Sequence, residues 1–177
     1  MRFETEASKQ LSPPIEAIEM TLRMNQEGFS PLELFIVVAV ILTISAIAIP
    51  NLLLSRMAAN EAATVGNLRT VNASCVVYSS NWGIGYPVSL SNLGPAKPAT
   101  SAAADLVDSA VAGGTMNGYI LTYISSAPSK GKIWGYTINA NPVVPGQTGR
   151  WHFFTDQYRV IRYNSGGPAA ITSPPIG

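Results

Sequence analysis

The chain contains 177 residues, of which 47% are hydrophobic and only 12% are charged, and its formal net charge is +1. Because soluble domains typically carry about 25% charged residues, this composition favours a membrane-associated protein over a cytosolic enzyme. The small net charge argues against a nucleic-acid-binding protein, since such proteins neutralise phosphates with lysine and arginine. With a single cysteine, the chain cannot form an intrachain disulfide.

Residues 1–28 are predicted to be a leader. This stretch is polar, lacks a hydrophobic period and contains more acidic than basic residues, whereas secretory leaders usually begin with a basic region. Met20 and Met24 lie close to the apolar run that follows. Translation that starts at either methionine is therefore an alternative, and it would leave a very short leader.

A long apolar helix is predicted next. Residues 34–49 carry no charge, and continuing through Pro50 to Leu54 gives about 21 residues, or about 31 Å of α-helix. This length matches the hydrocarbon core of a bilayer, which is about 30 Å thick. Residues 31–54 are therefore predicted to span a membrane. Pro50 removes one helical hydrogen bond and is expected to kink or loosen the helix at that point.

Beyond Pro50 the apolar residues recur at intervals of three or four, or multiples of them, which indicates an amphipathic helix. The pattern consists of Leu54, Ala58, Ala62, Val65, Leu68, Cys75 and Val76. We therefore predict one helical spine over residues 29–80, which is hydrophobic on all sides at first and on one side later.

The rest of the chain is predicted to form a small head. Residues 82–117 are expected to be a loop containing one short helix, with Ser101 as its N-cap and Gly113 at its end. Residues 118–163 are expected to form an antiparallel sheet, and residues 164–177 a flexible tail. About four strands are predicted, at 118–125, 132–139, 151–155 and 158–163. The predicted fold class is therefore α+β, with a long N-terminal helix packed on a small antiparallel sheet.

Glu33 stands at the entrance of the apolar run and admits more than one interpretation. As part of a helix start, Ser30 would be the N-cap, Pro31 the first helical residue and Glu33 the third, which is a capping box. As part of a secretory signal, the run would be cut after Ala48, where small residues match a cleavage pattern. Two features argue against this second interpretation: acidic residues precede the apolar run, and the helical pattern continues through Ala48.

A third interpretation comes from the stretch GFSPLELFIVVAVILTISAIAIPNLL. It resembles the N-terminal signature of bacterial type IV pilins and of the related type II secretion pseudopilins. The resemblance implies cleavage by a prepilin peptidase after Gly28, N-methylation of the new first residue, Phe29, and an assembly role for Glu33. It also implies that Pro50 is the proline shared by the first helix of this family, and that the fold is pilin-like.

The same resemblance implies a function and a location. The chain would be a single-pass inner-membrane protein with a periplasmic head, and it would then enter a pilus at the cell surface or a periplasmic pseudopilus. Glu33 would pair with the Phe29 amine of a neighbouring subunit. The partners of the chain would be other copies of itself, the prepilin peptidase and methyltransferase, the inner-membrane assembly platform and the lipid bilayer. The alternatives are a type II secretion pseudopilin and, in another class, a binding or sensor module held by one uncleaved helix.

Other reactive residues give no indication of an enzyme, a cofactor or a metal site. Cys75 lies on the apolar stripe and is predicted to be a core residue, and His152 has no ligating neighbours in sequence. Calcium binding occurs in some pseudopilins, but Asp105, Asp108 and Asp156 lack the spacing of a ligand loop. Surface and capping roles are expected for these three aspartates.

Overall fold

The computed structural model describes residues 28–176. Most of the predicted leader, including the alternative starts Met20 and Met24, therefore lies outside the described residues. In chain order the elements are α1 (Pro31–Trp82), a 3-10 turn (Leu90–Leu93), α2 (Ser109–Ala112), β1 (Thr115–Met116), β2 (Tyr119–Ser125), β3 (Tyr136–Pro142), β4 (His152–Asp156) and β5 (Arg162–Asn164). Residues 83–176, which follow α1, are called the head below.

The predicted α+β class is confirmed, because one long N-terminal helix packs on an antiparallel sheet in the manner of the pilin fold. The sheet has five strands in the order β1-β2-β3-β4-β5, so every strand pairs with its neighbours in sequence. The strand beyond the predicted four is β1, which is two residues long. The described residues up to Ala46 and those from Ile47 onward form two compact units.

The core of the second unit lies between α1 and the inner face of the sheet. Leu68, Val71 and Cys75 are fully buried at spacings of three and four residues, as an amphipathic helix requires. Ile138 on β3 and Tyr119 on β2 are likewise fully buried, and alternate residues of β3 are buried along its whole length. The residues that recur every three or four positions on the helix therefore face the residues that alternate along the strands, and together they form one apolar layer.

Buried hydrogen bonds fix the position of α1 on the sheet. The Asn72 side-chain amide donates to Thr155 Oγ1 at 2.9 Å, and the Tyr136 hydroxyl donates to Asn72 Oδ1 at 3.0 Å. Asn72 is 3% exposed. Because a buried polar group without a partner is costly, a shift of the helix along the sheet would be disfavoured by the loss of both bonds.

The loop between β3 and β4 is held by two neighbouring residues of α1. Glu61, which is 9% exposed, accepts hydrogen bonds through Oε1 from the backbone N–H of Arg150 at 2.7 Å and of Trp151 at 3.4 Å. The Asn60 side-chain amide donates to the carbonyl of Thr148 at 2.9 Å. A side chain at Gly149 is excluded, since an added Cβ would collide with the Tyr119 ring.

The predicted N-cap of the short helix is wrong. The short helix begins at Ser109 and is capped by Asp108, whose Oδ1 accepts from the Val111 N–H at 2.8 Å, while Gly113 ends it as predicted. Ser101 is not a cap; its carbonyl accepts from the Tyr78 hydroxyl. The physical reason is that the intervening backbone bonds to the 3-10 turn, where the N–H of Ala104, for example, donates to the carbonyl of Asn92 instead of closing a helical turn.

The last strands also differ from expectation. The sequence predicts a two-residue turn at Asp156 and Gln157, but β4 includes Asp156 and β5 begins only at Arg162. The longer connection contains Arg159 at φ 65°, and its N–H donates to the Asp156 carbonyl at 2.8 Å.

Residues 164–177 were expected to be a flexible tail, and several of them are bound to the sheet. Ala169 is buried, with its carbonyl accepting from the Asn139 side chain at 2.8 Å. Further hydrogen bonds along β5 hold residues 173–176. These contacts join residues after β5 to strands earlier in the chain. They therefore leave no periodic pattern in the sequence from which they could be predicted.

Candidate assembly segment

The start of α1 is set by Ser30 and Pro31. The Ser30 hydroxyl accepts from the Leu32 N–H at 3.3 Å, and the Ser30 carbonyl accepts from the Leu34 N–H at 3.1 Å. Proline is suited to the first helical position because it has no N–H to leave unpaired there. Ser30 thus caps the helix through Leu32, and among the described residues neither bond of the predicted capping box is formed: the Ser30 hydroxyl does not bond the Glu33 N–H, and the Glu33 carboxylate does not accept from the Ser30 N–H.

Every large apolar side chain from Phe29 to Leu54 is exposed, by fractions between 41% and 79%. We call residues 29–54 the apolar segment. Its exposed side chains are Phe29, Leu32, Leu34, Phe35, Ile36, Val37, Val38, Val40, Ile41, Leu42, Ile44, Ile47, Ile49, Leu52, Leu53 and Leu54. Water-soluble monomers rarely leave so large a continuous apolar surface uncovered. The apolar segment therefore requires lipid or other protein around it.

By length and composition, α1 is able to cross a membrane, and none of its most apolar stretch is buried inside the protein. Two hydroxyl groups near its apolar stretch suit such surroundings, because they donate to carbonyls four residues earlier on the same helix. Thr43 Oγ1 bonds the Ala39 carbonyl at 2.8 Å, and Ser55 Oγ bonds the Asn51 carbonyl at 2.9 Å. Satisfying polar groups within the helix is what hydrocarbon demands. This is the chemistry expected of a single-pass anchor.

Pro50 lies inside α1, which continues as a helix on both sides of it. A proline has no N–H, so the carbonyl of Ala46, four residues earlier, has no helical donor at this position. The result is one weakened turn near the end of the apolar segment. The weakened turn is where the sequence predicts bending.

Glu33 is the only ionisable side chain between Gly28 and Pro50. It lies in the first turn of α1, where a carboxylate interacts favourably with the positive end of the helix dipole. It is exposed, and its carboxylate accepts no hydrogen bond from any of residues 28–176. Gly28 and Phe29 precede the helix without regular secondary structure, and the Phe29 side chain is 79% exposed. The predicted processing site and Glu33 are thus close together at one end of the apolar segment.

The two other reactive residues occupy structural positions. Cys75 is fully buried, and burial raises the pKa of its thiol to about 12, so the thiol stays protonated at neutral pH. His152 Nδ1 lies 2.7 Å from Asn141 Oδ1, and partial burial lowers the pKa of the imidazole. Among residues 28–176, no three His, Cys, Asp or Glu side chains converge on a point where they could hold a metal ion.

The three aspartates of the head do not come together. Asp108 caps α2, and Asp156 is buried, with its Oδ1 accepting from the Tyr158 N–H at 3.0 Å. Asp105 is exposed in a loop at φ 52°. The three carboxylates therefore do not form a common site: Asp108 and Asp156 each bond a nearby backbone N–H, and Asp105 lies in solvent.

Glu61 is the structural residue that the sequence did not reveal. It falls on the buried stripe of α1 together with Met57, Thr64 and Leu68, and a carboxylate on an otherwise apolar stripe was the available signal. A buried charge needs donors, and in the structure these are two backbone N–H groups beyond β3.

Neither family models, nor curated proteins, nor solved structures give a match to this chain.

Proposed function

We propose that this chain is a structural subunit of a type IV pilus-like filament. The observation that carries the proposal is the uncovered apolar segment with one carboxylate at its entrance. A membrane anchor alone accounts for the apolar surface, but it gives no reason to place an ionisable group at the edge of hydrocarbon. Ionisable residues at such positions mark function by default, because their desolvation is costly.

In the proposal the apolar segment has two successive environments. Lipid covers it while the subunit waits in the inner membrane, and the equivalent segments of other subunits cover it in the filament. Both environments are apolar, which explains why the helix is hydrophobic on all sides before residue 54. The head remains outside the bilayer in both states, since the first charged residue of α1 after Glu33 is Arg56, which lies beyond the apolar segment.

Glu33 then acts in assembly. Cleavage after Gly28 creates an amine on Phe29, and a subunit that enters the filament pairs its Glu33 with the Phe29 amine of a neighbour. Removing one partner of a buried ion pair is strongly destabilising, so a subunit docked at the wrong height is rejected. The pairing sets the register, while the apolar side chains supply the attraction.

Two facts support this proposal over the simpler interpretations of Glu33. The Ser30 hydroxyl caps the helix through the Leu32 N–H, and the Glu33 carboxylate accepts no hydrogen bond from the described residues, so the observed cap does not use the Glu33 side chain. A secretory cut after Ala48 would fall inside α1, which continues as a helix to Trp82. Such a cut would divide a regular helix in two.

The proposal names four partners: other copies of the chain, a prepilin peptidase that also methylates Phe29, an assembly platform in the inner membrane, and the bilayer. A type II secretion pseudopilin uses the same surfaces in a shorter periplasmic filament. A binding or sensor module with an uncleaved helix is the alternative from another class, and it is distinguished by the state of the N-terminus.

The test is the N-terminal residue of the mature protein, determined by intact mass and N-terminal sequencing. The protein is isolated separately from membranes and from material sheared off the cell surface. Methylated Phe29 in both fractions is the expected result for a pilus subunit, whereas methylated Phe29 in membranes alone indicates a pseudopilin. An N-terminus at Ile49, or an uncut chain, would overturn the proposal.

A further inference from the structure

The free side of β5 is covered by residues 173–176, which we call the edge strap. The Tyr163 N–H donates to the Pro174 carbonyl at 3.0 Å, and the Ile176 N–H donates to the Ile161 carbonyl at 2.8 Å. Between these bonds lies an antiparallel bridge that pairs Arg162 with Pro175. The edge strap therefore runs antiparallel to β5 and pairs with it through one bridge, although it is too short to count as a sixth strand.

Side-chain contacts hold the edge strap at both ends. Arg162 Nη1 donates to the Ser173 carbonyl at 2.8 Å, and a tight turn precedes it, where the Ser173 N–H donates to the Ala170 carbonyl at 2.9 Å. At the other end, Ile176 is partly buried and packs against the hydrophobic core. Hydrogen bonds and apolar packing therefore both hold the edge strap in place.

The direction of the peptide groups follows from this pairing. Along a strand, successive residues present their N–H and C=O groups to opposite sides. Since the Pro174 carbonyl and the Ile176 N–H face β5, the backbone nitrogen of Pro175 faces away from the sheet. Pro175 is exposed, and proline has no N–H. At the one position where the edge strap could offer a donor to another strand, it offers none.

We propose that the edge strap prevents the β5 side of the sheet from adding a strand of a second copy of this chain. An open edge strand is a template for pairing, and a proline at an outward position is a recognised way to end it. The edge strap occupies the β5 hydrogen-bonding groups and closes the new edge with Pro175. This role belongs to the head and does not depend on how the apolar segment is used.

Two matched variants of the full chain, purified in detergent, test this role. Pro175→Val introduces an N–H that faces away from the sheet, and Pro174→Val introduces the same group facing β5. Both substitutions replace a proline by the same β-branched residue at neighbouring exposed positions. We expect Pro175→Val to self-associate about tenfold more tightly than the wild-type chain, because it gains an intermolecular hydrogen bond and loses a blocking ring. Pro174→Val should behave as wild type.

Sedimentation equilibrium at matched detergent density measures the association. Amide hydrogen exchange of the wild-type head adds a second measurement, in which the Tyr163 and Ile176 amides are expected to be protected. Equal association of Pro175→Val and wild type would overturn the proposal, as would equal association of the two variants. Exchange of the Tyr163 amide at the rate of an exposed loop would also overturn it, because the edge strap would then not be bound to β5.

Discussion

Replacement of Glu61 by alanine is expected to destabilise the head substantially. The substitution removes the acceptor of the Arg150 N–H at 2.7 Å and of the Trp151 N–H at 3.4 Å. A hydrogen bond to a charged group contributes about 1.5–3 kcal/mol, and the longer contact adds little. Because Glu61 is 9% exposed, water does not readily replace it. The expected loss in the free energy of unfolding is therefore about 2–3 kcal/mol.

Urea unfolding of the full chain in detergent measures this loss through tryptophan fluorescence, since Trp151 lies beside the lost bond. With a urea dependence of about 1–3 kcal/mol per M, the midpoint should fall by about 0.7–3 M. Glu61→Gln retains an acceptor oxygen and should lose less than half as much. Arg69→Ala, at an exposed position of the same helix, is the control and should change stability by less than about 0.5 kcal/mol. A Glu61→Ala variant as stable as this control would refute the reasoning.

Three further predictions concern the other reactive residues. Glu33→Gln keeps the size of the side chain but removes its charge. We expect this variant to reach the membrane in unchanged amount and to lower the yield of sheared filaments more than tenfold. A normal filament yield would favour the capping role of Glu33. Cys75 should resist a thiol reagent at pH 8 until the protein unfolds, because burial raises the pKa of its thiol to about 12; rapid labelling of the native protein would contradict its buried position. Burial lowers the pKa of His152 from its unfolded value of about 6.5, so the folded state binds fewer protons than the unfolded state. Its contribution to stability is therefore present above about pH 6.5 and is lost as the pH falls below it. His152→Gln should make the free energy of unfolding fall less steeply below about pH 6.5, and an unchanged dependence on pH would contradict this.

The features that could be predicted from sequence are those with a local signal. The extent of α1 follows from an uninterrupted apolar run and a helical period, so its observed bounds lie within two residues of 29–80. Strand β2 follows from alternation, since Tyr119, Leu121 and Tyr123 share one face, whereas β3 begins at Tyr136 and not at residue 132 as predicted. Strand β1 has only two residues, which is too short for any period to be visible.

The features that could not be predicted depend on partners far away in sequence. Ser101 has the right chemistry for an N-cap, but whether it caps a helix is decided by competing bonds to the 3-10 turn. Glu61 has its donor 89 residues away, and the sequence between them gives no sign of the contact. The same holds for the edge strap, whose order comes from β5 and not from its own composition.

The hydrogen-bond donors around the two glutamates of α1 distinguish a role within one subunit from a role between subunits. Both carboxylates interrupt apolar surroundings, and composition alone treats them alike. Glu61 is buried, and backbone donors of its own chain satisfy it, so its role is complete within one subunit. Glu33 is exposed at the entrance of a surface that must be covered, and residues 28–176 supply it with no donor. When lipid or protein covers that surface, a donor has to come from the new surroundings. A cationic amine on a second subunit would meet this requirement, which is why we propose that the contact between subunits is made by Glu33 and not by Glu61.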